Sequence, residues 1–217
     1  MVPTSLKCRE SLARLHGLYA IADPDVAGIE PVPLVEALLQ GGARVVQLRW
    51  KSATGRELFA AALLSAPRCR DVGALFIVND RPDVAALVDA DGVHLGQDDV
   101  PVGAARRVLP EGALVGVSTH SDAELDRAIA SGADYVGFGP VFPTATKDAA
   151  LPPPHGLAGL RRACLRAGGT AVVAIGGMTA ARAMDALAAG ARAVAAIGDL
   201  YRGGNVAARV REYPRVA

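Results

Sequence analysis

The sequence predicts a single closed (β/α)8 barrel of the TIM type, and three observations carry that reading. Eight short apolar runs alternate with amphipathic stretches along the chain. At 217 residues and 51% hydrophobic content, the chain has the length and the core of one such domain. Its first turn, "ADPDVAGIEP", lacks the G-x-G-x-x-G pattern that would open a doubly wound sheet, the competing architecture.

Residues 1–16 read as an N-terminal extension and residues 17–210, approximately, as the barrel. The first apolar run is "LYAIA" from Leu18, followed by a helix over Pro33–Gln40. "RVVQL" from Arg44 leads to a helix over Thr54–Ala66, and "ALFIV" from Ala74 to one over Pro82–Val88. "GVHL" from Gly92 precedes Pro101–Val108, where Pro101 stands near the first helical position and its missing N–H costs no helix bond. "LVGVS" from Leu114 precedes Asp122–Ala130, which Ser121 or Asp122 starts. "YVGFG" from Tyr135 precedes Leu157–Ala167, "AVVAI" from Ala171 precedes Ala180–Ala189, and "AVAAI" from Ala193 leads to a last helix after Leu200. "GG" or "G-A" pairs at Gly41, Gly132 and Gly190 are placed to end three helices just before the next strand.

Composition narrows the function. The net charge is +1 with Lys and Arg scattered, so no electrostatic footprint for nucleic acid is expected and any anion binding is local. Cys8, Cys69 and Cys164 are too few and too far apart for a zinc site or a disulfide framework and fit reduced thiols. No apolar run reaches the roughly 18 residues of a membrane span, and "MVPTSLKCRESLARLHG" lacks a signal-peptide apolar core. A soluble cytoplasmic protein is expected, with a homo-oligomer left open.

In a barrel of this kind, chemistry sits where the strands end. The second strand runs into "QLRWK", placing Gln47, Arg49 and Lys51 at alternate positions, on one side of an extended chain. The third ends in Asn79 and Asp80, the fourth in Gln97, Asp98 and Asp99 after a glycine. Neighbouring strands lie about 5 Å apart, so carboxylates from both mouths can share a hard cation. Two carboxylates plus substrate phosphates are what Mg²⁺ accepts, and a Mg²⁺-diphosphate site is the economical inference. Competing structural roles exist: Asp80 and one of Asp98 and Asp99 can cap helices, Arg49 and Lys51 can be a solvated rim, and His94 a core histidine. The fifth strand ends in Ser118 and Thr119, with His120 after them. "AIGGM" and "AIGDL" close the seventh and eighth, where glycines let backbone N–H groups approach a phosphate near Gly176, Gly177, Ile197 and Gly198. Between these regions lies "GPVFPTATKD", Gly139–Asp148, readable as a solvated turn or as an anion-holding strand end.

The ordered motifs "QLRWK", "FIVND", "DGVHLGQDD", "GVSTHS", "GPVFPTATK" and "AIGGM" resemble the thiamine phosphate synthase family over about Leu18–Leu200. The resemblance implies a transferase that joins 4-amino-2-methyl-5-(diphosphooxymethyl)pyrimidine to a thiazole phosphate and releases diphosphate. By the same resemblance Gln47, Leu48, Arg49, Trp50, Lys51, Asn79, Ser118 and Lys147 hold the pyrimidine diphosphate, and Asp80 and Asp99 bind Mg²⁺. Thr144, Ala145 and Thr146, with Gly177, Ile197 and Gly198, hold the thiazole phosphate. Arg49, Lys51 and Lys147 would act catalytically, stabilising charge on the departing diphosphate. Two departures from the family pattern stand out: Trp50 replaces an acidic residue, and Gly198 a common serine. The alternatives are a thiazole tautomerase of the same lineage, in which His120 would transfer a proton, and a non-catalytic barrel that binds a thiamine precursor.

Overall fold

The computed structural model describes residues 6–144 and 152–215. In chain order the elements are α1 (Leu6–Arg14), β1 (Gly17–Ala22), α2 (Pro24–Ala27), α3 (Pro31–Gly41), β2 (Val45–Leu48), α4 (Gly55–Asp71) and β3 (Leu75–Asn79). These are followed by α5 (Pro82–Leu87), β4 (Gly92–Leu95), α6 (Val102–Ala105), β5 (Leu114–Thr119), α7 (Asp122–Ala130) and β6 (Tyr135–Phe138). The chain ends with α8 (Gly156–Arg166), β7 (Ala171–Ala174), α9 (Ala180–Ala188), β8 (Ala193–Ala196), a 3-10 turn (Gly198–Tyr201) and α10 (Val206–Arg211). Every strand pairs in parallel with the next, and β8 returns to β1, closing the barrel the sequence predicts.

Alternation along each strand divides the apolar residues between two cores. Val46, Phe76, Val93, Val115 and Val136 face the helices, while Val45, Ile77, Leu114, Tyr135 and Val173 fill the barrel. Both faces being covered explains why the strands read as continuous apolar runs rather than alternating ones. Gly116 pairs with Tyr135 on β6, and a methyl group at Gly116 would stand 2.1 Å from Tyr135 Cζ, so the missing side chain is the space the ring occupies.

The departures from expectation have identifiable causes. The extension contains α1, whose Cys8, with Leu15 just beyond its end, joins the inner core and stoppers the barrel from below. Asp23 caps α2, a short helix within the first loop, by accepting from Val26 N. α4 begins as expected, with Thr54 and Glu57 forming a reciprocal capping box, but continues through Pro67 to Asp71. The pair at Gly41 ends α3 as expected, but Gly41 itself is the last helical residue. It lies in the last turn, where a methyl group would meet Val210 Cβ at 2.5 Å, and Gly42 supplies the left-handed residue at φ 98°. Gly132 and Gly190 take φ of 85° and 109° after their helices, as expected.

Candidate active site

At the C-terminal mouth of β2 to β4, cations and carboxylates meet. Arg49 donates from Nη1 to Asp23, which is fully buried. Lys51 pairs with Asp80, and because its side chain is 55% exposed it can swing towards an incoming anion. Asp80 sits at φ 62°, a left-handed conformation unusual for a residue with a side chain, and its N–H donates to His94 O at 2.8 Å. Asp99 accepts from Gly96 N at 2.6 Å. Burial, then the adjoining Asp80 carboxyl, hold the Asp99 carboxyl above its ordinary range. Two carboxylates are thus brought into contact with one lysine between them and the solvent. Among the described residues no three His, Cys, Asp or Glu gather as a metal cage, so this pair is the acidic group at the mouth.

Inside the barrel a hydrogen-bonded chain supports the mouth from below. Gln47 Nε2 donates to Tyr19 Oη at 2.8 Å, and the hydroxyls of Tyr19 and Tyr135 are 2.9 Å apart. Tyr135 Oη meets His94 Nδ1 at 3.2 Å, and His94 Nε2 meets Ser118 Oγ at 2.9 Å. These buried polar groups satisfy one another, as a low-dielectric interior requires. Gln47, Arg49, Asn79 and Ser118 line one small cavity here, of about 40 Å³.

A larger cavity of about 530 Å³ opens beside it, over β6 to β8, lined by Thr144, Gly177, Ile197 and Gly198. Ile175, Ala195 and Ile197 form a wall common to both. Gly177 has φ 62°, and a methyl group there would come within 2.4 Å of Pro143 O, so the glycine permits the close approach of two loops. Val141 N donates to Ile175 O and Phe142 N to Gly176 O, and His155 N and Gly156 N donate to Pro140 O and Val141 O. The "GPVF" segment therefore continues the pairing of β6 with β7 beyond the strand ends and is not a solvated turn. Asp199 also lines this cavity, yet its carboxylate is held by Arg209 and by Tyr213 Oη at 2.8 Å, so its charge is neutralised. His120 lines it too, with Nδ1 3.0 Å from Glu124 Oε2.

Of the residues named from sequence, Gln47, Arg49, Asn79 and Ser118 surround the inner cavity, while Lys51 pairs with Asp80 and Asp99 adjoins Asp80 at the ends of β2 to β4. Leu48 is fully buried among the helix-facing core residues, which leaves only its backbone available to a ligand. Trp50 packs against the same outer core, and its indole, with Ser52, bonds Asp25, whose carboxyl Ser52 chiefly holds below its ordinary range. Ala145, Thr146 and Lys147 lie outside the described residues. Asp23 and Arg182 were missed. Asp23 resembles an ordinary helix cap, and only three-dimensional pairing reveals it as the carboxylate partner of Arg49. Arg182, one turn into α9, lines the large cavity with its Cζ 4.5 Å over the Phe142 ring and Nη1 donating to Gly177 O at 2.7 Å.

The family model described as thiamine monophosphate synthase matches residues 18–200. A thiamine-phosphate synthase of Methanoculleus marisnigri is 47% identical, over 90% of this chain and 92% of its own. One from Chromobacterium violaceum is 46% identical, over 91% and 94%. The solved thiamine phosphate pyrophosphorylase from Pyrococcus furiosus superposes with a TM-score of 0.83 at 37% identity, covering 93% of this chain and 95% of that one. With a family match across the barrel and such relatives along nearly its whole length, the chain belongs to the thiamine monophosphate synthase family.

Proposed function

We propose that the protein is a thiamine-phosphate synthase, a transferase that joins 4-amino-2-methyl-5-(diphosphooxymethyl)pyrimidine to a thiazole phosphate and releases diphosphate. The observation that carries the reading is the mouth of β2 to β4, where Lys51 pairs with Asp80 beside Asp99, and where Arg49 lines a cavity sharing a wall with the glycine-bearing one. Two adjoining carboxylates fit Mg²⁺, which takes one or two carboxylates and fills its shell with water and phosphate oxygens. Asp80 and Asp99 would hold it, and when bound it supplies positive charge to the leaving diphosphate.

The chain's own residues do the rest. Lys51 and Arg49 face the diphosphate as its bond to the pyrimidine methylene carbon breaks, and the aminopyrimidine ring delocalises the positive charge left behind. Arg49 is fixed by Asp23, so its guanidinium is in place before the substrate arrives. Ser118, held by His94, and Asn79 stand where the pyrimidine side of the substrate would lie. Thr144 and the backbone at Gly177, Ile197 and Gly198 line the cavity assigned to the thiazole phosphate, bringing the thiazole nitrogen to the carbon without a protein nucleophile. Ile197 lines both cavities, so the two substrates would share a wall.

A cytoplasmic setting belongs to the same proposal, supported by the free thiols of Cys8, Cys69 and Cys164; no helix of the described residues is long and apolar enough to cross a membrane. The tautomerase alternative has no use for a carboxylate pair beside two cations. Incubating the full chain with both substrates and Mg²⁺ tests the proposal. Thiamine phosphate and diphosphate should form together in equal amounts. Binding of the pyrimidine diphosphate with no diphosphate release would instead identify a non-catalytic binder.

A further inference from the structure

The floor of the barrel, opposite the site above, holds a second large cavity of about 410 Å³, lined among others by Arg14, His16, Arg44 and Arg215. We propose that it binds a polyphosphate anion, a ligand with two or more linked phosphoryl groups. The three guanidiniums come from separate parts of the chain: Arg14 ends α1, Arg44 precedes β2, and Arg215 follows α10. Among the described residues no carboxylate lines the cavity.

Arg68, Arg81, Arg106, Arg162, Arg166 and Arg209 each pair with a carboxylate. Among the described residues, Arg14, Arg44 and Arg215 form no such pair. Arg14 Nη2 donates to Gly73 O at 2.8 Å, and Arg44 Nη1 donates to Val72 O, both carbonyls at the end of α4. Each bond uses one of five N–H donors, so two cations are anchored with most of their donors unspent.

The walls suit close approach. Gly42 and Gly73 take φ of 98° and 68°, and a methyl group on them would stand 3.7 Å from Arg215 Nη2 and 4.0 Å from Arg44 Nη1. A methyl group at those distances would make only ordinary contact, so the two glycines answer to their left-handed turns, and their backbone forms the wall beside the guanidiniums. The volume suits a small molecule larger than a single phosphate. Three permanently charged forks, with no carboxylate beside them among the described residues, call for several phosphoryl oxygens rather than one carboxylate.

The test is calorimetric titration of inorganic diphosphate into the full chain in metal-free buffer, using Lys51→Ala to weaken binding at the mouth. One equivalent should still bind. Adding Arg215→Gln, and separately Arg44→Gln, should each weaken that binding roughly tenfold. Arg215 makes no side-chain hydrogen bond among the described residues, so its variant keeps the test valid if loss of Arg44 perturbs folding. A nucleoside diphosphate titrated in parallel separates the sources. Equal affinity places recognition on the phosphoryl groups alone, and tighter binding makes a nucleotide the natural occupant. The proposal fails if no equivalent survives Lys51→Ala, if both floor variants bind as the parent does, or if inorganic phosphate binds as tightly as diphosphate.

Discussion

Replacing Asp99 by Asn should stabilise the metal-free protein while removing its response to Mg²⁺. Asp99 and Asp80 are in contact, and burial together with Asp80 holds the Asp99 carboxyl above its ordinary range. Two unit charges about 4 Å apart repel by roughly 4 kcal/mol at an effective dielectric of about 20. Solvent at the open mouth and the Lys51 ammonium on Asp80 reduce that to about 1 kcal/mol. Asn retains an oxygen for the Gly96 N–H, so the turn it closes survives. Urea unfolding in buffer with a chelator should therefore give a higher midpoint for Asp99→Asn with an unchanged slope. With Mg²⁺ at a hundred times its dissociation constant, the parent should gain about 2.7 kcal/mol and the variant far less. Turnover of the two substrates should fall by orders of magnitude in the same variant. Loss of stability in the chelated buffer, or equal stabilisation of both proteins by Mg²⁺, would refute the reasoning.

Other substitutions probe the supporting structure. Asp23→Ala removes both the partner of Arg49 and the cap of α2, and should cost about 3–5 kcal/mol in denaturant unfolding, with Asp23→Asn recovering about 1 kcal/mol through the cap. Gly177→Ala forces a methyl group against Pro143 O and a left-handed conformation on alanine, so it should lower the melting temperature and raise the KM for the thiazole phosphate more than that for the pyrimidine. Tyr135→Phe interrupts the interior chain between Tyr19 and His94 and should cost about 1–3 kcal/mol, read as a lower denaturation midpoint. Lys147→Ala should lower kcat with little change in thiazole phosphate binding, and a KM effect on the thiazole alone would move that lysine to the other substrate.

The strands were legible because a parallel barrel buries both faces of every strand, and the apolar runs from Leu18, Arg44 and Ala74 have no other economical explanation. The mouth residues were legible for the converse reason: Gln47, Asn79 and Ser118 are polar groups placed at the ends of otherwise apolar runs. What stayed hidden was pairing across the chain. Nothing local distinguishes Asp23 from a helix cap, since it is one, and its bond to Arg49 crosses 26 positions. Arg182 reads as a solvated helix residue until Phe142 is folded under it. α1 was hidden because its mean polarity is that of an exposed segment, while Cys8 and Leu15 are what the barrel floor buries. The pair at Gly41 was legible as a helix end, but not that Gly42 makes the turn while Gly41 admits Val210, because the two kinds of glycine look alike in sequence.

The fit of the Tyr135 ring into the space above Gly116 makes those two positions a single unit of variation. A larger residue at Gly116 alone meets an aromatic ring, and a smaller one at Tyr135 alone leaves a void and takes a hydroxyl from the interior chain. Combined changes at the two sites should therefore be far from additive, with the double change milder than the sum of its parts. Sequence drift inside this barrel is in that sense paired: the strand that lacks a side chain sets what its neighbour is free to become.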